Sequence, residues 1–272
     1  MKQLASFFLI IMLFAFTPLQ AQNQMCVVCH KSFKTCPYKG KHPKTTAPVT
    51  ANRNNTAKNA KPKPVVSISA PTDMVNGHGY VDLALPSGTK WATVNIGASS
   101  PSDFGDYFAW GETNTKNDYW WNTYKYCEAS LYNLTKYCLN SDRGKVDNKK
   151  TLEPDDDVVH VKWGAQWRMP TKSDFEELIN NCTWKWTSIH GVKGYMVIGK
   201  NNKAIFLPAT YDRSGTNGKN MFTDIEGFYW SSSLYDETTF SYAAYEIRFY
   251  SQKIYITYGD RCVGHSIRAV CR

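Results

Sequence analysis

The sequence predicts an α+β domain with more strand than helix, carried at the end of a three-part chain. Three observations predict it. Short apolar runs recur between turn signals from about position 77 onward. Only two segments carry a helical pattern. The end of the chain alternates apolar and polar residues with a period of two, through one reversal.

The strands come first in chain order. Tyr80–Leu85, Trp91–Ile96, Tyr195–Ile198 and Ala204–Leu207 have strand-like length and composition. Pro86-Ser87-Gly88, Phe104-Gly105-Asp106 and Asp212-Arg213-Ser214-Gly215 supply turns. Asp156–Trp163 reads as a short helix with acids at its start, where the helix dipole favours them. Lys172–Asn181 reads as a second helix. Thr171 and Asp174 form a capping-box pair, and Phe175, Leu178 and Ile179 fall on one face. Tyr245, Ile247 and Phe249 then alternate with Glu246 and Arg248, and Ser251-Gln252-Lys253 turns the chain. Ile254, Ile256 and Tyr258 form the apolar return, and Ser266–Val270 is the closing strand.

The front of the chain is different in kind. Residues 1–21 have a positive start, an apolar run of 13 residues from Leu4 to Phe16, and a small residue, Ala21, suited to cleavage. A membrane span needs about 20 apolar residues, so this is the layout of a secretory signal peptide. It implies an exported protein, extracellular, at the cell surface or periplasmic, with no span after processing. Residues 22–42 form a Cys/His-rich head, and residues 43–74 a basic linker of Thr, Ala, Asn, Lys and Pro. Such a linker buries too little to offset its ordering entropy. It is solvated, or lies against an anionic envelope surface. Residues 75–272 form the domain.

Charge follows the same division. The chain of 272 residues has 32 basic and 23 acidic side chains, a formal net charge of +9. Ten of the basic residues precede Asp73, the first acid, which leaves 22 against all 23 acids. The domain is near neutral, and this excludes a broadly basic nucleic-acid surface on it.

The string YVDLALPSGTKWATVNIGASSPSDFGDYFAWGET (80–113) resembles the opening of the Fibrobacter succinogenes major paralogous domain, a family of secreted Bacteroidetes and Fibrobacter proteins. The resemblance continues through 151–187, IFLPA (205–209), FYWSSSL (228–234) and GHSIRAVC (264–271), covering about 190 of 272 residues. It implies a C-type lectin-like fold, shared with formylglycine-generating enzymes: two short helices and a twisted, mainly antiparallel sheet. The Glu-Pro-Asn, Gln-Pro-Asp and Trp-Asn-Asp signatures of calcium-dependent sugar lectins are absent. Glu153-Pro154-Asp155 precedes the first helix and is out of place for that role.

In the head, Cys26-x2-Cys29-x6-Cys36-x5-His42 suits a closed tetrahedral zinc site, structural rather than catalytic. The alternatives are a disulfide with one leftover thiol, and redox chemistry. In the domain, Cys127 and Cys138 flank a short loop and are expected to pair, while Cys182 can pair with Cys262 or Cys271. Asp155, Asp156 and Asp157 are candidate calcium ligands, with helix-start acids the preferred reading.

Aromatic residues supply the functional signal. All nine tryptophans lie between Trp91 and Trp230. Trp110, Trp120 and Trp121 in an irregular stretch, and Tyr235, Tyr250 and Tyr255 around the hairpin, are the candidate ligand contacts. Alternation places Tyr250 and Tyr255 opposite the apolar face. No Gly-x-Ser-x-Gly, Walker loop or His-Glu-x-x-His is present. The sequence therefore points to a non-enzymatic binding protein for a glycan or protein ligand. The alternatives are a structural module of the cell envelope and a divergent formylglycine-generating-type oxidase.

Overall fold

The closing strand of the chain lies inside a sheet, not at its edge. The computed structural model describes residues 67–216 and 225–272. The segment 1–21, the head with Cys26, Cys29, Cys36 and His42, and linker residues 43–66 lie outside the described residues. Four antiparallel sheets dominate, so the architecture is α+β with few helices.

The first sheet joins β1 (Asp73–Val75), β2 (His78–Val81), β3 (Lys90–Asn95), β13 (Arg268–Cys271) and β5 (Trp167–Arg168), in that order. β13 aligns Val270 with Trp91 on one side and with Arg168 on the other. Residues 67–74, grouped with the linker on composition, already belong to the fold. Ser69 N–H donates to the Ala204 carbonyl at 3.0 Å, and β1 pairs with β2. β2 stops at Val81, short of the strand expected to Leu85. The Asp82 carboxylate accepts from Ala84 N–H at 2.8 Å, and Ala84 has a positive φ of 55°. Gly105 also needs its lack of a side chain. Its φ is +73°, and a Cβ there would strike the Ile96 carbonyl, which accepts from Asp106 N–H.

Helix α1 (Val158–Trp163) begins two residues later than the pattern suggests. Asp156 sits in a preceding 3-10 turn, Pro154–Asp156, and Asp157 caps the helix through Val159 and His160 N–H groups. Helix α2 (Lys172–Asn181) matches its sequence signature, with the Thr171–Asp174 capping box formed in both directions. Arg168 holds Asp174 through two bonds of 2.7 and 3.1 Å. Phe175 and Leu178 are buried, and Phe175 packs 5.5 Å from Trp91. Each such side chain contributes about 2 kcal/mol on burial.

The second sheet joins β6 (Thr183–Ile189), β7 (Val192–Ile198) and β8 (Ala204–Pro208). A two-stranded ribbon pairs β4 (Asp118–Tyr119) with β9 (Gly215–Thr216). The last sheet joins β10 (Glu226–Leu234), β11 (Ala243–Tyr250) and β12 (Lys253–Asp260). Two hydrophobic clusters fill the interior, one around Trp110, Trp121, Tyr137 and Trp230, the other around Trp91, Phe175, Tyr229 and Phe249.

The five described cysteines are free, which corrects the expected Cys127–Cys138 bridge and any bond from Cys182 to Cys262 or Cys271. The local hairpin sets Cys127 against Leu134. The Cys127 thiol donates to the Trp121 carbonyl at 3.0 Å and the Cys138 thiol to the Asn140 carbonyl at 3.1 Å.

Arg268 is wholly buried, and burial pulls its guanidinium down to about 10. Its nitrogens reach Asn95 Oδ1 at 2.8 Å and the carbonyls of Ala92 and Phe206 at 3.1 and 2.9 Å. Arg268→Met leaves those acceptors unsatisfied and is expected to cost at least about 3 kcal/mol. Arg268→Lys retains part of the set and should cost less. Urea denaturation midpoints check both.

Candidate binding surface

The β10–β11–β12 sheet places its side chains by simple register. Tyr250 opposes Lys253 across a two-residue turn, so strand alternation runs unbroken through the hairpin. Ile247 and Phe249, with Ile254 and Ile256 across from them, turn into the second cluster. The opposite face carries three cross-strand rows: Glu226–Tyr250–Lys253, Phe228–Arg248–Tyr255 and Trp230–Glu246–Thr257.

The outer rows are polar and aromatic. Tyr250 and Tyr255 are half-buried, with rings 6.5 Å apart at 76°. Lys253 Nζ stands 4.7 Å over the Tyr255 ring. Arg248 gives Nε and Nη2 to Glu226 Oε2 at 2.9 and 2.5 Å, and its guanidinium lies 4.6 Å over the Phe228 ring. This arrangement fixes flat tyrosine faces beside a charged pair.

Beneath the third row lies a buried acid–imidazole pair. Glu246 is 3% exposed and His265 is 2% exposed. Strand alternation put Glu246 on a solvent face; the loop bearing His265 covers it instead. His265 Nε2 lies 2.6 Å from Glu246 Oε2, and its ring rests 4.1 Å from Trp230. Backbone bonds between His265 and Phe108, at 3.0 and 3.1 Å, hold that loop. A cavity of about 170 Å³ opens over the pair, lined by Phe228, Glu246, Arg248, Asp260 and His265 among others.

The other candidate residues scatter. Trp110 is fully buried, with its indole N–H on the Ser231 carbonyl at 2.8 Å. Trp121 is also in the core, at 8% exposure. Both are corrected from ligand contacts to packing residues: the irregular stretch that carries them folds back under the sheet. Trp120 points outward at 53% exposure. Tyr235 belongs to a second aromatic patch. Its ring lies 4.3 Å from Tyr258 and 5.0 Å from Tyr245, and Phe240 adjoins Tyr258 and Tyr242. Arg143 lies between the rings of Tyr242 and Tyr132, at 5.0 and 4.6 Å. Tyr258, expected in the core, is 42% exposed, because the apolar face of β12 runs past the cluster at that end. Arg143 and Tyr132 carried no signal in the sequence, since their juxtaposition is tertiary.

The three consecutive acids are committed to different partners. Asp155 is exposed. Asp157 accepts from Met169 N–H at 2.8 Å besides capping α1, and burial raises its pKa. Asp156 accepts from the hydroxyls of Tyr126 and Tyr137 and from Lys136 Nζ at 2.5 Å. Among the described residues no three His, Cys, Asp or Glu side chains converge as a metal site. Two larger hollows beside α2 are lined by Arg168, Thr171 and Arg272. In both, Arg168 is already paired with Asp174.

Comparison with protein families, characterised proteins and solved structures gives no significant match.

Burial opposes ionisation of Asp156, but Lys136 and the two tyrosine hydroxyls outweigh it and hold the carboxyl at about 2, against 3.8 for a free aspartate. A depressed carboxyl stabilises the fold fully above the unfolded value and loses that contribution as pH falls through the folded one. The contribution is about 2 kcal/mol. Melts between pH 5 and pH 2 should therefore show wild type losing this increment as pH falls through about 4 to 2. Asp156→Asn should lack the increment at pH 5 and show a flatter profile across the window.

Proposed function

We propose that the protein is an exported, non-enzymatic binding protein whose C-type lectin-like domain holds a glycan on the face of the β10–β12 sheet. One observation carries the reading. Tyr250 and Tyr255 present half-buried rings on the same sheet face as a small polar cavity over Glu246 and His265. Flat rings with polar tips stack on sugar faces, and a compact cavity with fixed polar groups supplies orientation. The resemblance to the major paralogous domain family adds the fold and the exported setting. Its formylglycine-generating relatives point to thiol chemistry. Burial pushes the Cys262 thiol up to about 12 and the Cys271 thiol up to about 11, which favours inert packing roles.

A glycan array probed with the secreted chain tests the proposal. Binding should survive a calcium chelator, because the Asp156 and Asp157 carboxylates are already engaged. Tyr255→Ala and Tyr250→Ala should each weaken it by about tenfold or more, with unchanged melting. Loss on Tyr132→Ala or Tyr235→Ala instead, with the hairpin variants unaffected, would move the site to the second aromatic patch and overturn the assignment.

A further inference from the structure

We infer that the aromatic row running from Tyr132 through Tyr242, Phe240 and Tyr258 to Tyr235 is a second glycan site, and that Arg143 receives one uronate carboxylate there. Tyr258 falls on the opposite face of β12 from Tyr255, so this site is separate from the hairpin tyrosines.

The inference starts from a cation with no anion. The Arg143 guanidinium lies 4.6 Å from the centre of the Tyr132 ring and 5.0 Å from that of Tyr242. Its Nη1 is buried and has no hydrogen-bond partner. Among the described residues no carboxylate or carbonyl accepts from Nε or Nη2 either, and the exposed Asp142 beside it in the chain makes no ion pair with it. Arg168 and Arg248, by contrast, are both paired with carboxylates. With Nη1 sealed, the edge left to a ligand is the one formed by Nε and Nη2. Arg248 gives that same edge to Glu226. The two rings fix the plane of the guanidinium, so its donors are set before a ligand arrives. The backbone beneath is held as well. Leu134 N–H donates to the Arg143 carbonyl at 2.7 Å, and a Cβ at Gly144 would strike the Leu134 carbonyl.

The rings continue away from this cation. Phe240 lies 5.7 Å from both Tyr242 and Tyr258, and Tyr235 lies 4.3 Å from Tyr258. Tyr132 is 61% exposed and Tyr258 is 42% exposed. A run of rings is longer than one sugar and suits an extended chain. Four of the five rings are tyrosines, whose polar tips match a hydroxylated ligand better than a lipid or an apolar protein face.

Charge and shape select the ligand. A carboxylate is planar and takes two parallel bonds from one guanidinium edge. Phosphate and sulfate are tetrahedral and push oxygens out of that plane towards the rings. The far end of the row is acidic: Tyr235 donates to Glu237 at 3.2 Å, and Asp236 is exposed beside it. That end repels further anions. The fitting ligand is therefore a mostly neutral glycan with a single uronate, bound with its carboxylate at Arg143.

Calorimetry of the full secreted chain tests this, with chelator present. The probes are a xylo-oligosaccharide carrying one glucuronate branch and the same compound with its carboxyl reduced to the alcohol. The uronate form should bind about tenfold tighter or more. Arg143→Gln should bring the two affinities to within about twofold, and Tyr255→Ala should leave the preference unchanged. Tyr132→Ala, an exposed position, should cut the preference by about threefold or more and keeps the test valid if Arg143→Gln unfolds. Equal affinity of wild type for both forms, binding of neither, or a preference that survives Arg143→Gln and Tyr132→Ala overturns the uronate site. A glutamate-rich peptide held through Arg143 in place of the uronate overturns its assignment to a glycan. The hairpin reading stands or falls separately, on whether Tyr255→Ala weakens binding of the reduced compound.

Discussion

Burying a guanidinium without a carboxylate beside it is among the more demanding things a fold can do, and Arg268 does it at the junction of two sheets. Its donors are spent on the Asn95 side chain and the Ala92 carbonyl of β3, and on the Phe206 carbonyl of β8. Each partner must be in place for the charge to be tolerated. The set joins the edge of the second sheet to the centre of the first, and it requires β13 to lie between β3 and β5. The final residues therefore complete a sheet begun near position 73.

The β10–β12 sheet takes its character from that closure. The loop leading into β13 carries His265, which reaches back over β11 to Glu246. One face of the sheet is sealed by the second hydrophobic cluster, while the other is covered near Trp230 and open towards Tyr255. A buried polar pair at the foot of an open tyrosine face follows from the path of the loop that leads into β13. A Cβ at Gly259 would collide with Glu246 Oε2, so the pair also needs a glycine there.

Local signals survived folding where local physics decided them. The Thr171–Asp174 box places α2 over Lys172–Asn181, and alternation with a short turn gives the hairpin face by face. Other readings failed where a second layer intervened. Trp110 and Trp121 sit among turn-like residues yet pack in the interior, because the stretch folds back under Trp230 and Tyr137. The serines of β10 look polar, but Ser231 is buried and donates to the Tyr245 carbonyl at 2.7 Å. Cysteine spacing suggested bridges, and the hairpin opposite Cys127 offers Leu134 in their place.

The sequence by itself determined the α+β class, the charge division between head and domain, the second helix and the terminal hairpin. It also picked out Tyr250 and Tyr255 as the residues opposite the hairpin's apolar face. Each of these depends on neighbours within a few positions, through capping, alternation or charge count. Only the tertiary structure decided which aromatic residues are core, that Glu246 is buried on His265, and that Arg143 lies between two tyrosines. Those facts depend on residues brought together from separate strands and loops, where burial and packing outweigh local preference.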